Sequence, residues 1–534
     1  MVHFPAEIIQ QIVENIRRSE ETRSRPYKTC KILPYVVVSR QWQVAVERLL
    51  WQEIQIYNKP SFADLKNWTS GDPYRRARAG YIRHLTCLPP DLGWYDWNER
   101  DGEDALGDHV RKADQYAAWY DEQYYKYLRD MFEVLDGWKD RKESMELTLR
   151  LSGDDQIEHE PHTGDVDESS HEFWKDMTLE QFWRKGFMNY PPCLTERLVR
   201  DLPILPYITS FRVHDADVSD HRPSAFCLLL TRFQNARKVY GGEYGYILSG
   251  SLRALMGQRQ DLIKHLSLVP ESVEKFKYEI GSVRELAYNP ATDAANYLNS
   301  NGLDELSIGF RSLSTRLRKL KLEHVRISSA LFWPGVGEED YGTASLYWPK
   351  LEELVIWKVP PYTADGKWIL DNDHEKWHHM SLASIEADPN QLWDYNTGQY
   401  GYRGVMRRHA ADEMYSSMGL AARRMPRLRR LEFSFRAEIP ECGPTERLEF
   451  ERELETGKSR LQIATGCWYL IGERVILAWG LQDKLAPQNV APECRGHLTQ
   501  EDSWDVPVAS AHRQKKQKLS CHDGACSVEF ERWP

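Results

Sequence analysis

Apolar residues at Ile8, Ile9, Ile12, Val13 and Ile16 recur three and four positions apart, and this spacing predicts a helix with one wide apolar face. Pro5 stands at its start, where a missing backbone N–H costs nothing. After Pro34 a second stripe of the same period runs through Val37, Val38, Trp42, Val46, Leu49 and Leu50. Helices this short do not bury their own apolar faces and need either the rest of the chain or a partner. Glu53 to Tyr57 then reads as a short strand. His109 to Trp138 predicts a long helix whose core stripe is Tyr116, Trp119, Tyr120, Tyr124, Tyr127, Met131 and Leu135. Leu147, Leu149 and Leu151 alternate, as in a strand.

A second pattern, apolar-x-x-apolar-x-apolar, begins at Ile82-x-x-Leu85-x-Cys87 and becomes frequent after Leu202. It appears at Ile208/Phe211/Val213, Ile263/Leu266/Leu268, Val273/Phe276/Tyr278, Val283/Leu286/Tyr288 and Leu303/Leu306/Ile308. It returns at Leu317/Leu320/Leu322, Leu351/Leu354/Ile356, Leu382/Ile385/Ala387 and Leu428/Leu431/Phe433. The last two positions of each unit share one face of a strand, and the first lies at the turn into it. That is the strand portion of a leucine-rich repeat, without the Asn or Cys that normally follows and with irregular spacing. One strand-plus-return unit leaves an apolar side bare, and stacking units makes a continuous core. The alternative is an ordinary α/β domain that carries the pattern by chance. Thr445 to Glu455 reads as a helix, and Arg460 to Thr465 and Cys467 to Trp479 as closing strands.

The N-terminal residues Phe4-Pro5-Ala6-Glu7-Ile8, Val38-Ser39-Arg40-Gln41-Trp42 and Leu50-Trp51 resemble an F-box, in the style of F-box proteins common in filamentous fungi. The resemblance covers about a tenth of the chain. Phe4 replaces the usual Leu, and a polar stretch from Arg17 to Lys31 lengthens the link between the first two helices. The resemblance implies the substrate receptor of a cullin-RING ubiquitin ligase, with a Skp-type adaptor on the F-box and a protein target on the repeats. It implies an adaptor surface of Phe4, Pro5, Ile8, Ile9, Ile12, Val38, Trp42 and Trp51, and no bond chemistry by the receptor itself. The alternatives are a helical hairpin packed on its own domain, or a scaffold that works with the adaptor outside a cullin complex.

The expected fold class is therefore α+β: an N-terminal helical F-box followed by an irregular leucine-rich-repeat-like α/β solenoid. The expected divisions are 1–56 for the F-box, 57–200 for a mixed helical linker with an acidic unstructured loop near 153–171, 201–481 for the repeats and 482–534 for an unstructured tail. At 534 residues several units are expected, and 41% hydrophobic residues with 19 Trp suffice for large cores. A net charge of -10 argues against a general nucleic-acid surface. No apolar run approaches the ~20 residues of a membrane span, so no membrane partner is expected. No basic stretch followed by an apolar core marks a signal peptide. The nine Cys form no Cys-x-x-Cys and read as reduced thiols of the cytoplasm or nucleus. Asn67-Trp68-Thr69 is then a chance sequon.

His374-Glu375-Lys376-Trp377-His378 has the form of a zinc-peptidase helix, two imidazoles one turn apart with a Glu as base. Asp371, Asp373 and Lys376 crowd it with charge, where such helices are buried and uncharged. A zinc-dependent hydrolase is the lesser reading, and neither a metal nor a cofactor is expected. Gly241-Gly242-Glu243-Tyr244-Gly245 lacks the spacing of a phosphate loop. Cys521, His522 and Cys526 lack a fourth ligand. The basic run Arg513 to Lys518 reads as an import signal or a solvated tail. Elemental analysis of the purified chain is expected to find no stoichiometric zinc; one zinc per chain would restore the hydrolase reading.

Overall fold

A computed structural model of the chain describes residues 5–21, 35, 38–56, 59–88, 106–150, 193–213, 222–243, 252–280, 295–334, 346–372, 403–435, 447–464, 473–479 and 520–530, excepting 361, 368, 407, 457, 523 and 524. They form a mixed α/β structure with two compact units, one built from residues up to Tyr240 and the other from Gly241 on, with Arg222–Ser224 counted in the second. Among the described residues no helix is long and apolar enough to cross a membrane.

The first unit opens with helices α1 (Ala6–Glu21) and α2 (Arg40–Leu50) and strand β1 (Glu53–Ile56). Helices α3 (Lys59–Thr69) and α4 (Pro73–Tyr81) lead to β2 (His84–Cys87). The long helix α5 (Leu106–Asp136) leads to β3 (Met145–Leu149), and α6 (Glu196–Arg200) to β4 (Ile208–Val213). Helix α7 (Pro223–Leu230) precedes β5 (Lys238–Glu243). The strands lie in chain order and pair in parallel. Their register stacks Ile54, Leu85, Leu147, Phe211 and Val239 across the sheet. Each such side chain removed from water contributes on the order of 1.5–3 kcal/mol. Helix α5 supplies the facing layer through Tyr124, Leu128, Met131, Phe132 and Leu135, all buried at spacings of three and four. Trp119, expected in that stripe, is instead 43% exposed. Tyr207 donates its hydroxyl to the Leu135 carbonyl at 2.6 Å, and the Trp138 indole to Thr69 Oγ1 at 3.1 Å, so both buried polar atoms are satisfied.

The second unit contains α8 (Leu252–His265), β6 (Lys275–Ile280), α9 (Glu305–Ser314), β7 (Lys319–Glu323) and β8 (Glu353–Val359). Then come β9 (Leu370–Asn372), β10 (Arg403–Met406), α10 (Arg408–Ala422) and β11 (Arg430–Phe435). Strands β12 (Arg447–Arg452) and β13 (Ser459–Ala464), helix α11 (Glu473–Trp479) and strands β14 (Ser520–His522) and β15 (Ala525–Phe530) follow. Strands β6, β7, β8 and β11 are parallel neighbours in that order; β12, β13, β15 and β14 extend the ladder antiparallel. Phe276, Leu320, Leu354 and Leu431 form one apolar rung and Tyr278, Leu322, Ile356 and Phe433 the next.

Five of the repeat units after Leu202 coincide with strands: β4, β6, β7, β8 and β11. Two do not. Ile263/Leu266/Leu268 falls on the end of α8 and a following 3-10 turn, where the buried residues are Leu262, Leu266 and Val269, a helical set. Leu303/Leu306/Ile308 falls on the start of α9. There Asp304 caps the helix and Leu306, Phe310 and Leu313 are buried. An apolar pair three apart suits a helix as well as the turn into a strand, and the cap decides. Val283 to Tyr288, Leu382 to Ala387 and the acidic segment 153–171 lie outside the described residues.

Other expectations are corrected. Strands β2 and β3, expected within a linker, share the ladder of β1 and β4. Thr445 to Glu455 contains strand β12 instead of a helix, because Leu448 and Phe450 alternate with Glu449 and Glu451. Cys467 to Trp479 contains helix α11, with Val475, Ala478 and Trp479 buried at helical spacing. The tail beyond Gln482 contains two strands, where Val528 lies opposite Leu461 and Cys526 opposite Ile463.

A buried ionic cluster fixes the returns of the second unit. Asp304 Oδ1 accepts from Arg259 Nη2 at 2.5 Å, and Asp304 Oδ2 accepts from the Ser307 hydroxyl. Arg259 also donates to the Arg326 carbonyl at 3.0 Å, and the Tyr297 ring lies between Arg259 and Arg326 at 4.5 and 4.4 Å. Burial pushes the Asp304 carboxyl up, but the Arg259 charge and these hydrogen bonds outweigh it and hold it below its ordinary value. Asp304→Ala strands a buried guanidinium. It is expected to cost about 3–5 kcal/mol, seen as an earlier denaturant midpoint; a loss below about 1 kcal/mol would show that the cluster is not needed.

Candidate functional site

Helices α1 and α2 make a small pair with its own core of Ile9, Ala45, Val46 and Leu49, against which Tyr35, Trp42 and Leu50 pack. Ser39 caps α2: its Oγ accepts from Trp42 N at 3.4 Å and its carbonyl from Gln43 N at 2.8 Å. That role explains a serine immediately before the Arg40–Trp42 stretch. The Pro5 carbonyl accepts from Ile8 N at 3.0 Å and Ile9 N at 3.2 Å, which starts α1.

The expected adaptor residues divide by burial. Phe4 lies outside the described residues. Pro5 is exposed, Ile8 is 40% exposed and Val38 58%. Ile12 and Trp42 are half-buried, and Trp42 stacks on Tyr35 with ring centroids 5.5 Å apart. Ile9 is 2% exposed and belongs to the core of the pair. Its part is to hold the two helices together. Trp51 is half-buried and its ring faces the Arg78 guanidinium at 5.4 Å. Val44, also partly exposed, was not among the expected residues.

Arg78 is the centre of a latch between α2 and α4. It reaches both carboxylate oxygens of the buried Glu47 at 3.3 Å, and Trp51, Trp68 and Tyr74 surround its guanidinium. Gln43 donates to Glu47 at 3.1 Å and to the Tyr74 hydroxyl at 2.7 Å. A planar cation stacked on aromatic rings loses less on burial than an ammonium does. A cleft of about 420 Å³ beside the pair is lined by Gln10, Arg48, Gln52, Tyr81, Arg83 and Glu143. Its two cations are already engaged, Arg48 by Gln10 and Arg83 by Glu143.

In the second unit the sheet has a polar face opposite its apolar rungs. Lys277, Lys321 and Lys358 reach the buried carboxylate of Glu323 at 3.7, 3.1 and 3.4 Å. Burial pushes Glu323 up, but the Lys321 hydrogen bond and the three lysine charges outweigh it and hold the carboxyl below its ordinary value. Lys321 Nζ sits 3.9 Å from the Trp357 ring centroid, and the Trp357 indole donates to Glu432 at 2.8 Å. Arg430 holds Glu432 from the other side.

This face is interrupted at one place. Phe433 pairs with Ile356 but Phe435 pairs with Val359, so β8 has one residue more than β11 there. The extra residue is Lys358, at φ 53°, and its amide donates to Ser434 Oγ at 3.1 Å. Strict alternation would place Lys358 on the core side. The bulge keeps Val359 fully buried and turns Lys358 onto Glu323, with its side chain half exposed. A left-handed backbone costs a non-glycine residue roughly 1–2 kcal/mol. His324 beside it, at φ 57°, has the same conformation.

Among the described residues no group of His, Cys, Asp and Glu is arranged to hold a metal. His374 to His378 lies outside them. Of the tryptophans between positions 333 and 377, Trp348 is fully buried and donates to Ser314 at 2.6 Å, Trp333 is half-buried, and Trp357 is on the polar face. Trp368 and Trp377 lie outside the described residues. No family model matches the chain, and no curated protein matches it either.

Neither Arg78 nor Lys358 stood out in the sequence. Arg78 is one of several arginines in Tyr74–Tyr81, and Lys358 is a single polar residue in the otherwise apolar run Leu354 to Val359. For Glu47, burial pushes the carboxyl up, but the hydrogen bonds of Tyr74, Arg78 and Gln43 and the Arg78 charge hold it below its ordinary 4.5. Its contribution to stability is therefore present above about 4.5 and lost as pH falls through the lowered folded value. Glu47→Gln is expected to be less stable than the parent at neutral pH, with the difference shrinking in acid. A difference independent of pH in thermal melts would show that the charge is not the cause.

Proposed function

We propose that the chain is the substrate receptor of a cullin-RING ubiquitin ligase. In this reading α1, α2 and the segment through Trp51 are an F-box that binds a Skp-type adaptor. The strand ladder that follows is an irregular leucine-rich-repeat-like solenoid that holds a protein target. The observation that carries it is an apolar surface left on a helix pair that already has a core. Ile8, Val38 and Val44 remain exposed while Ile9, Val46 and Leu49 are buried. Exposed apolar side chains gathered on one small element suit a protein partner better than water.

The order of the residues supports the same reading: Pro5 at a helix start, Ser39 as a cap, and Trp42 and Trp51 anchored inward. A parallel ladder in chain order supports the repeat reading, because each added strand buries its neighbour's apolar edge. The receptor performs no bond chemistry. It raises the concentration of its target near the charged ubiquitin-conjugating enzyme, an effect of tethering. Such a protein works in the cytoplasm or the nucleus. Cullin in the purified complex separates the ligase receptor from a scaffold that uses the adaptor alone.

The test is co-expression with a fungal Skp-type adaptor followed by affinity purification and sizing. A one-to-one complex is expected with the parent, and Ile8→Asp should abolish it while leaving the melting profile unchanged. Ile9→Asp should instead unfold the helix pair, since it buries a charge in that core. Full adaptor retention by Ile8→Asp would sink this assignment of the surface.

A further inference from the structure

The polar face of the second unit carries an excess of lysine in a chain of net charge -10. Lys275, Lys277, Lys319 and Lys321 occupy neighbouring positions of β6 and β7, in register as Lys275 with Lys319 and Lys277 with Lys321. The bulge adds Lys358. Three carboxylates share this region: Glu279 on Lys277, Glu353 on Lys319, and Glu323 among three lysines. On β6, β7 and β8 five cations stand against three anions, Glu432 beside Trp357 is answered by Arg430, and the side chains of Lys277, Lys321 and Lys358 stay partly exposed.

The bulge itself is accounted for by Val359, which it keeps in the core. The choice of lysine at the extra position is not. At φ 53° a glycine would satisfy the backbone at less cost. What the lysine adds is a third ammonium beside Glu323, next to the half-buried face of Trp357. Glu323 is the buried counter-ion that holds the three lysines close together, and an arriving carboxylate would share them.

We propose that this strip, centred on Lys277, Lys321, Lys358 and Trp357, is the docking surface for an acidic peptide segment of the target protein. The occupant follows from charge complementarity: a run of Asp or Glu side chains on an extended chain meets ammonium groups spaced along adjacent strands. The inference rests on the receptor reading for its biological sense, but its measurement does not need the adaptor.

The experiment uses the full chain and a fluorescein-labelled oligoglutamate peptide, followed by anisotropy at low and high salt. Binding that weakens with salt is expected. Lys358→Gly should weaken it by roughly fivefold, the scale of one partly exposed charge contact, while leaving the melting temperature near the parent's, because relief of the left-handed backbone offsets the lost ion pair with Glu323 and the freer unfolded chain. Lys358→Asn, which also tolerates the left-handed conformation, should repeat the loss. Absence of peptide binding by the parent, or unchanged affinity in both variants, overturns the proposal. So does a single-stranded oligodeoxynucleotide that binds as tightly as the peptide. Absence of peptide binding by the parent with an intact adaptor complex refutes this surface alone; absence of the adaptor complex with intact peptide binding by the parent refutes the receptor reading alone.

Discussion

A parallel strand that slips by one residue turns every apolar side chain to the wrong face, and both units are organised around preventing that slip. In the first unit Leu85, Leu147 and Phe211 stay level across three strands. In the second Leu320, Leu354 and Leu431 do the same. The apolar face binds the returning helices, and the other face is left to charged residues that pair across strands. Lys319 with Glu353 is one such pair, on the rung beside Leu320 and Leu354. Register therefore sets the core and the polar surface together, and neither can be altered alone.

The returns need a different solution, because they bring charge into the interior. Both units use a carboxylate with several donors and a guanidinium against aromatic rings: Glu47 with Arg78 in the first, Asp304 with Arg259 in the second. Burial works against each carboxylate, and the hydrogen bonds reverse the sign. Such pairs add little net stability compared with apolar residues of the same shape, but removing one partner is costly. Their consequence is specificity. Arg78 fixes where α4 meets α2, and Arg259 with Arg326 fixes the loop that carries Tyr297.

The strands were legible where alternation was long enough to exclude a helix. Leu317/Leu320/Leu322 and Leu428/Leu431/Phe433 announce β7 and β11, and the register then follows from the shared spacing. Legibility failed where an apolar pair three apart fits two periods: Leu303 and Leu306 needed the Asp304 cap to be read as helical. It failed also at β12, whose Leu448 and Phe450 were too few to outweigh the helix-favouring Glu residues around them. The helix pair was read correctly as helical, but not which face of it is spare. Ile8 and Ile9 are adjacent in sequence, and only packing against Ala45 and Val46 separates a core residue from an exposed one. The Lys358 bulge leaves only a weak signature, a lysine at the phase of Leu354 and Ile356 followed by Val359 out of phase.

Function is best sought where a local cost has no local return. The buried charges at Glu47 and Asp304 are costly in isolation, yet each is answered by its own hydrogen bonds, so they explain architecture and nothing further. Ile8 and Val38 are different: both are exposed apolar side chains, and among the described residues neither belongs to the core of the pair. Lys358 is different in the same sense, because the backbone there favours glycine while the side chain gains only a partly exposed ion pair. An exposed ion pair contributes less than about 1 kcal/mol, against roughly 1–2 kcal/mol for the left-handed backbone. Burial of Val359 and the bond of the Lys358 amide to Ser434 offset the bulge itself, so the choice of lysine over glycine there is what the proposed acidic partner would explain. Under the proposed function Ile8 and Val38 would meet an apolar partner and Lys358 an acidic one. Two partners of opposite character would suit the proposed receptor of an adaptor and a target.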